Sequence, residues 1–299
     1  MKIKQLFQYA ERKRIAIGHF NVSNVETFEA AVLASKKTKT PIIIATSEGA
    51  ISHSGLDFFV GAKEYYEKKY KIDLFLHLDH GKNLDLISEV IKKGYDSVMI
   101  DASHYNFKKN INLTRYIVKR AHKYGVAVEA ELGTIGGAEE DIYSREIKFT
   151  NPLRAQEFID KTNCDFLAVA IGTSHGVHKF LEKSELNFDL LEKLYRYIDI
   201  PLVLHGASSI RKEIINELKK HKVRLGKVIG VSDRDIKKAI KYGIRKINID
   251  TDLQLAMMLE LRRELEGHLK EVKIYHVLDE VKKAMEKEVI KKIKLFSCR

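Results

Sequence analysis

LFLHLDHG, residues 74–81, runs from apolar residues into His77, Leu78, Asp79, His80 and Gly81. A short apolar stretch bounded by turn signals reads as a buried strand that delivers its last residues to solvent. Asp79 and His80 therefore stand where a strand becomes a loop. Side chains alternate across a strand, but where the chain turns an acid and an imidazole can both face one cavity. Taken alone, the cluster fits a hydrogen-bonded polar strand end as well as a place for chemistry. The rest of the chain separates the two.

Six further apolar runs end in the same way. Residues 42–44 run out at Ser47-Glu48-Gly49, 98–100 at Asp101 and Ser103, and 126–130 at Glu131 and Gly133. Residues 166–171 stop at Gly172-Thr173-Ser174-His175-Gly176, 202–204 at His205-Gly206, and 247–249 at Asp250-Thr251. An eighth run, residues 16–20, ends at Asn21. Between them lie segments of helical period, such as 84–93 and 111–124. Near-continuously apolar strands alternating with helices describe a parallel sheet covered by crossover helices. The expectation is an α/β fold, a single (β/α)8 TIM barrel spanning residues 1–299, with an N-terminal helix and a C-terminal helical extension. Such a barrel keeps its active site at the carboxyl ends of the strands, where nearly all these polar residues fall.

Composition narrows the function classes. The chain has 299 residues, 44% of them hydrophobic, and no apolar run near the roughly 20 residues of a membrane span. Residues 1–15 carry Lys2, Lys4, Glu11, Arg12, Lys13 and Arg14, so they read as an amphipathic helix and not as a secretory leader. Two cysteines, Cys164 and Cys298, make no disulfide framework, and a reducing cytoplasm is expected. The net charge of +12 invites a nucleic-acid partner. However, the lysines are spread over helix faces that also carry acids, with no aromatic-interleaved basic patch, so neither nucleic acid nor membrane is expected as a partner. A positive potential also suits an enzyme that draws in phosphorylated sugars.

Along the chain, His19 lies within the first strand and reads as a packed core histidine. Ser47 and the amides after it could meet a substrate hydroxyl or phosphate. Glu129 and Glu131, at i and i+2, share one strand face; inside a barrel they need a cation or polar partners. The following stretch GTIGGAEED, residues 133–141, joins flexible glycines to three acids and reads as a solvated turn or as a mobile lid. Hydroxyls and amides after strands seven and eight stand where barrels bind phosphate. Asn83, Asn151 before Pro152, and Ser232 are N-cap candidates. Three strand-end histidines, His80, His175 and His205, make a triple-imidazole set that suits zinc with an open position.

With these blocks assembled, the chain resembles the class II, metal-dependent fructose-bisphosphate aldolases over nearly its whole length. The blocks are GHFNVSN, TSEGAI, HLDHG, SVMIDASH, VEAELG, LAVAIGTSHG, LVLHGASS and KINIDTDLQLA, in that order. The resemblance implies zinc on His80, His175 and His205, with Glu131 as an alternative ligand and Asp101 supporting the metal region. Asp79 would be the general acid/base at the substrate C4 oxygen. A lid carboxylate, Glu140 beside Asp141, would exchange the proton on the dihydroxyacetone phosphate carbon. Gly176, Lys179, Gly206, Ser208, Asn248, Asp250 and Thr251 would hold the triose phosphate, with Asn21, Ser47 and Ser103 also facing substrate. A monovalent cation, Na+ or K+, would lie near Gly176 and Gly206, and, since relatives are oligomers, a homodimer or homotetramer is expected.

Three features depart from the family pattern. Gln254 stands after TDL where many members have arginine, the Tyr275-His276 region lacks Asp-Pro-Arg, and the tail reads Leu295-Phe296-Ser297-Cys298-Arg299. These touch the far phosphate and tail contacts, not the metal or proton chemistry. The expected reaction is reversible cleavage of fructose 1,6-bisphosphate to dihydroxyacetone phosphate and glyceraldehyde 3-phosphate. The alternative is the tagatose epimer. A barrel metal-dependent hydrolase would call for an HxH on the first strand, and a non-catalytic phosphate binder would have no use for an intact ligand set.

Overall fold

The computed structural model describes the chain apart from residues 135, 140–141, 145–147, 176–184, 210, 224, 226–229, 268–271 and 299, and only the backbone of 136–139, 142–144 and 174–175. In chain order the strands are β1 (Ile17–Asn21), β2 (Ile43–Thr46), β3 (Phe75–Gly81), β4 (Ser97–Ile100), β5 (Ala127–Leu132), β6 (Gly136–Glu139), β7 (Ile142–Ser144), β8 (Phe166–Val169), β9 (Ser174–His175), β10 (Leu202–Leu204) and β11 (Ile244–Ile249). The helices are α1 (Ile3–Lys13), α2 (Val25–Thr38), α3 (Glu48–Ser54), α4 (Leu56–Tyr70), α5 (Leu84–Lys92), α6 (Phe107–Ala121), α7 (Pro152–Thr162), α8 (Phe188–Tyr197), α9 (Lys212–Lys220), α10 (Asp233–Lys241), α11 (Thr251–Gly267) and α12 (Ile274–Phe296). Eight parallel strands close in the order β1-β11-β10-β8-β5-β4-β3-β2. All eight expected strands are present in a TIM barrel.

The period of two along each strand sorts the side chains. Leu76 and Leu78 of β3 point outward into the main core beneath the helices, whereas Phe75 joins a separate cluster inside the barrel floor. That floor is sealed by α1, whose Leu6, Phe7 and Ala10 pack on Ile17, Ile43 and Phe166. Phe7 and Phe166 bring their ring centroids to 4.2 Å. Above this apolar layer the inward positions turn polar: His19, His77, Glu129 and Lys246 are all buried, and higher up come Asp79, Glu131 and His205. The polar layer opens at the strands' carboxyl ends.

Local signals act as the sequence predicts. Asn83 caps α5 by accepting from the Asp85 and Leu86 amides, Asn151 caps α7 with Pro152 at its first position, and Ser232 caps α10. The segment read as a turn or lid contains paired strands. Residues 136–139 and 142–144 pair as an antiparallel hairpin, and Gly136 and Gly137 pair in parallel with Ser174 and His175 of β9. Backbone ladder bonds can form without an alternating apolar face, so this pairing left no periodic signal. No helix among the described residues is long and apolar enough to cross a membrane.

Candidate active site

Two imidazoles meet at the top of the barrel. His205 Nδ1 lies 3.0 Å from His80 Nε2, with the rings edge to face. Each ring is held from behind by a carboxylate: His80 Nδ1 is 2.9 Å from Asp101 Oδ2, and His205 Nε2 is 2.8 Å from Glu129 Oε1. A carboxylate on one ring nitrogen sets the tautomer that directs the other nitrogen's lone pair inward, the usual second-layer support of a metal-binding histidine. His80 takes a left-handed backbone, φ 45°, uncommon for a residue with a side chain. Next to it, a Cβ on Gly81 would come 2.7 Å from the Met99 carbonyl oxygen, so only glycine lets β3 lie this close to β4 here.

Asp79, 4% exposed, projects beside the pair. It accepts from Asn21 Nδ2 at 2.9 Å and from Asn248 Nδ2 at 3.1 Å, so two amides from β1 and β11 fix both its oxygens. Asn248 is set in turn by Lys246, whose ammonium donates to Asn248 Oδ1 at 2.8 Å and pairs with Glu129 Oε2 at 2.8 Å. The links Asn248–Lys246–Glu129–His205 join the acid to the imidazole through the barrel interior. A lysine in an apolar strand, two residues before Asn248 and so on the same face, is the signal that sequence reading passed over.

The electrostatics follow from burial. Burial raises the Glu129 carboxyl, but the Lys246 charge and the His205 hydrogen bond outweigh it and hold Glu129 ionised. Asp101 is held down likewise by His80 and Ser103 against the cost of burial. Burial, then the neighbouring Asp101 charge, push Glu131 well above the carboxylate range. Burial and the Lys246 charge bring His77 down to about 3, so it sits neutral, donating to or accepting from Ser97 Oγ at 2.8 Å.

The donor set fits a metal ion. Asp79, His80 and His205 each offer a ligand atom within 4.8 Å of the others, as do His80, Asp101 and Glu131. Zinc–nitrogen bonds of about 2.0–2.1 Å in a tetrahedron put two nitrogens roughly 3.3 Å apart, near the observed approach of the two rings. Glu131 Oε2 is buried without a hydrogen-bond partner and lies 3.8 Å from His205 Nδ1, as an oxygen awaiting a cation would. A family model described as fructose-bisphosphate aldolase class-II matches residues 1–299. The chain belongs to the class II fructose-bisphosphate aldolase family.

The relatives agree. Over 297 residues the chain is 36% identical to the fructose-bisphosphate aldolase of Giardia intestinalis, covering 98% of this chain and 92% of that one. It is 40% identical over 273 residues to the Helicobacter pylori enzyme of the same name, covering 88% and 87%. Among solved structures it is similar to the YdjI aldolase from Escherichia coli K12, at 33% identity and a TM-score of 0.79, covering 99% and 96%. The class II aldolase family is metal-dependent and its members are lyases.

A cavity of about 280 Å³ opens beside the imidazole pair. Of the predicted residues, Asn21, Ser47, Asp79, His80 and Asp250 line it, joined by Gln254 and by two cationic-capable neighbours that the sequence reading had not singled out, His53 and Lys82. Ser47 also caps α3 through its hydroxyl. Gln254 Nε2 donates to Asp250 Oδ1 at 3.1 Å. Ser103 braces Asp101 through a 2.8 Å hydrogen bond and lines a separate cavity. Ser208 and Thr251 are buried on the loop after β10 and at the start of α11, and Gly206 adopts φ 61°. His175 lies on β9 in register with Gly137; its side chain, with Glu140, Asp141, Gly176 and Lys179, lies outside the described residues.

Proposed function

We propose that the chain is a zinc aldolase that reversibly cleaves fructose 1,6-bisphosphate into dihydroxyacetone phosphate and glyceraldehyde 3-phosphate. The observation that carries this reading is the His80–His205 approach of 3.0 Å, backed by two carboxylates, with Asp79 held between two amides beside it. His80, His175 and His205 would hold the ion, with Glu131 as alternative ligand and Asp101 behind His80. When bound, zinc supplies Lewis acidity to the oxygens of the ketose. No Schiff-base lysine is required.

Asp79 takes the proton of the C4 hydroxyl as the C3–C4 bond breaks, and Glu140 on the lid returns a proton to C3 of the departing triose phosphate. The Asn21 and Asn248 amides keep the Asp79 carboxylate aimed, which is a large part of what a general base contributes. The phosphate is held by the Gly206–Ser208 turn and by Asn248, Asp250 and Thr251, where the first amides of α11 have no partner within their own helix. Gly176 and Lys179 complete that end, with Na+ or K+ near Gly176 and Gly206. Asn21, Ser47 and Ser103 serve the sugar hydroxyls and their surroundings. The same reading takes the chain as one domain working as a homodimer or homotetramer in the cytoplasm, where Cys164 and Cys298 stay as thiols.

The test is an aldol-cleavage assay on fructose and tagatose 1,6-bisphosphates, with and without chelator. Chelator-sensitive cleavage of the fructose epimer is expected. A clear preference for tagatose would move the substrate to its C4 epimer, and no cleavage of either would overturn the reading.

A further inference from the structure

Lys292 lies on α12, near the end of the chain, and is 3% exposed. An ammonium buried this deeply is costly unless its donors are matched. Its Nζ lies 2.6 Å from Ser209 Oγ and 2.6 Å from Asp252 Oδ1, partners 83 and 40 residues away in sequence. Glu288, one helical turn earlier, stands 3.9 Å from the same nitrogen and reaches Arg211 Nη2 at 3.0 Å. Ser209 and Arg211 belong to the loop that follows His205, so α12 grips that loop at two points one turn apart. Asp252 follows Thr251 in the first turn of α11. Charges alternate along the row Asp252, Lys292, Glu288, Arg211, and all but Arg211 are buried.

We propose that Lys292 is a positioning residue for the phosphate end of the pocket: its ammonium ties the Ser208–Ser209 turn to the start of α11 and sets the gap that a phosphate must fit. This rests on the assignment of that gap to the triose phosphate made above. Lys292 does not touch the reacting atoms. It acts through Ser209 and Asp252, each adjacent to a residue assigned to the phosphate. Without the ammonium, Asp252, whose Oδ2 already has no hydrogen-bond partner, would be left as an unpaired buried carboxylate. The two segments would then lose their common anchor.

The test compares wild type with Lys292→Met, Lys292→Arg and Ser209→Ala, each loaded with zinc. Inorganic phosphate is titrated calorimetrically, and KM and kcat are measured for fructose 1,6-bisphosphate. The expectation for Lys292→Met is a roughly tenfold weaker phosphate affinity and a similar rise in KM, with zinc content and kcat near wild type. Lys292→Arg should recover most of the loss. Ser209→Ala, which removes only the loop half of the clamp, should show a smaller shift in the same direction, and it carries the test if the methionine variant does not fold. Phosphate affinity and KM equal to wild type in the folded variants, with only a lower Tm, would reduce Lys292 to a structural ion pair. A wild-type protein that binds phosphate but cleaves no ketose would defeat the aldolase reading while leaving the clamp intact; one that binds no phosphate would defeat the clamp.

Discussion

Glu129→Gln isolates the charge that links the barrel interior to the metal-facing imidazole. Glu129 is fully buried and pairs with Lys246, 1% exposed, at 2.8 Å while contacting His205 Nε2 at 2.8 Å. Glutamine keeps the shape and can still accept from the His205 N–H, but it leaves the Lys246 ammonium without its counter-charge. Breaking a buried pair from one side costs about 3–5 kcal/mol. At roughly 2 °C per kcal/mol for a chain of this size, Tm should fall by about 6–10 °C. The lost carboxylate behind a ligating imidazole should also weaken zinc by about tenfold, the low end for such support because the hydrogen bond survives. Adding Lys246→Met removes the orphaned ammonium, so the double variant should regain most of the stability but none of the zinc affinity. Thermal melts followed by circular dichroism and competition with a chromophoric chelator read the two quantities separately. A double variant as unstable as Glu129→Gln, or a single variant with wild-type Tm and zinc affinity, would refute the reasoning.

Asp79→Asn should keep zinc by elemental analysis and the fold by circular dichroism, yet cut turnover about a hundredfold or more; near-normal turnover would send the acid/base role elsewhere. Lys82 shares the cavity with Gln254, so Lys82→Met should lower the kcat/KM preference for fructose 1,6-bisphosphate over fructose 1-phosphate by about tenfold, while Gln254→Arg should leave a high wild-type preference little changed. A wild-type ratio near one that climbs with arginine would show that no cation serves the second phosphate. Phe7→Ala empties a site 3% exposed in the sealed floor of the barrel and should cost about 3–5 kcal/mol in a denaturant titration, while kcat of the folded enzyme, whose chemistry lies at the opposite end, stays unchanged.

Much of the site was legible because each barrel strand announces its own end. The runs before Asp101 and His205 are wholly apolar, and those before Asp79-His80 and Glu131 are broken only by His77 and Glu129, so the polar residues that close each run mark the rim of the barrel. What the sequence did not reveal is pairing across the barrel. That Asn21 and Asn248 hold Asp79, that Lys246 joins Asn248 to Glu129, and that Lys82 shares a cavity with Gln254 all depend on strands distant in sequence. The pairing of residues 136–139 with 142–144 escaped for a different reason: strands of four and three residues, the first opening on two glycines, are too short to show a period.

By itself the sequence determined that eight parallel strands would be covered by helices, because strands buried on both faces must be apolar nearly throughout and helices must repeat every three to four residues. It also determined which residues stand at the strand ends, since the change from apolar to polar is a one-dimensional signal. Only the tertiary structure decided which ring nitrogen faces which, how α1 seals the floor through Phe7 and Phe166, and that Lys292 reaches Ser209 and Asp252. Those outcomes are fixed by closure of the barrel. Closure sets the register between strands and brings residues tens to hundreds of positions apart within hydrogen-bond distance, and no local pattern carries that information.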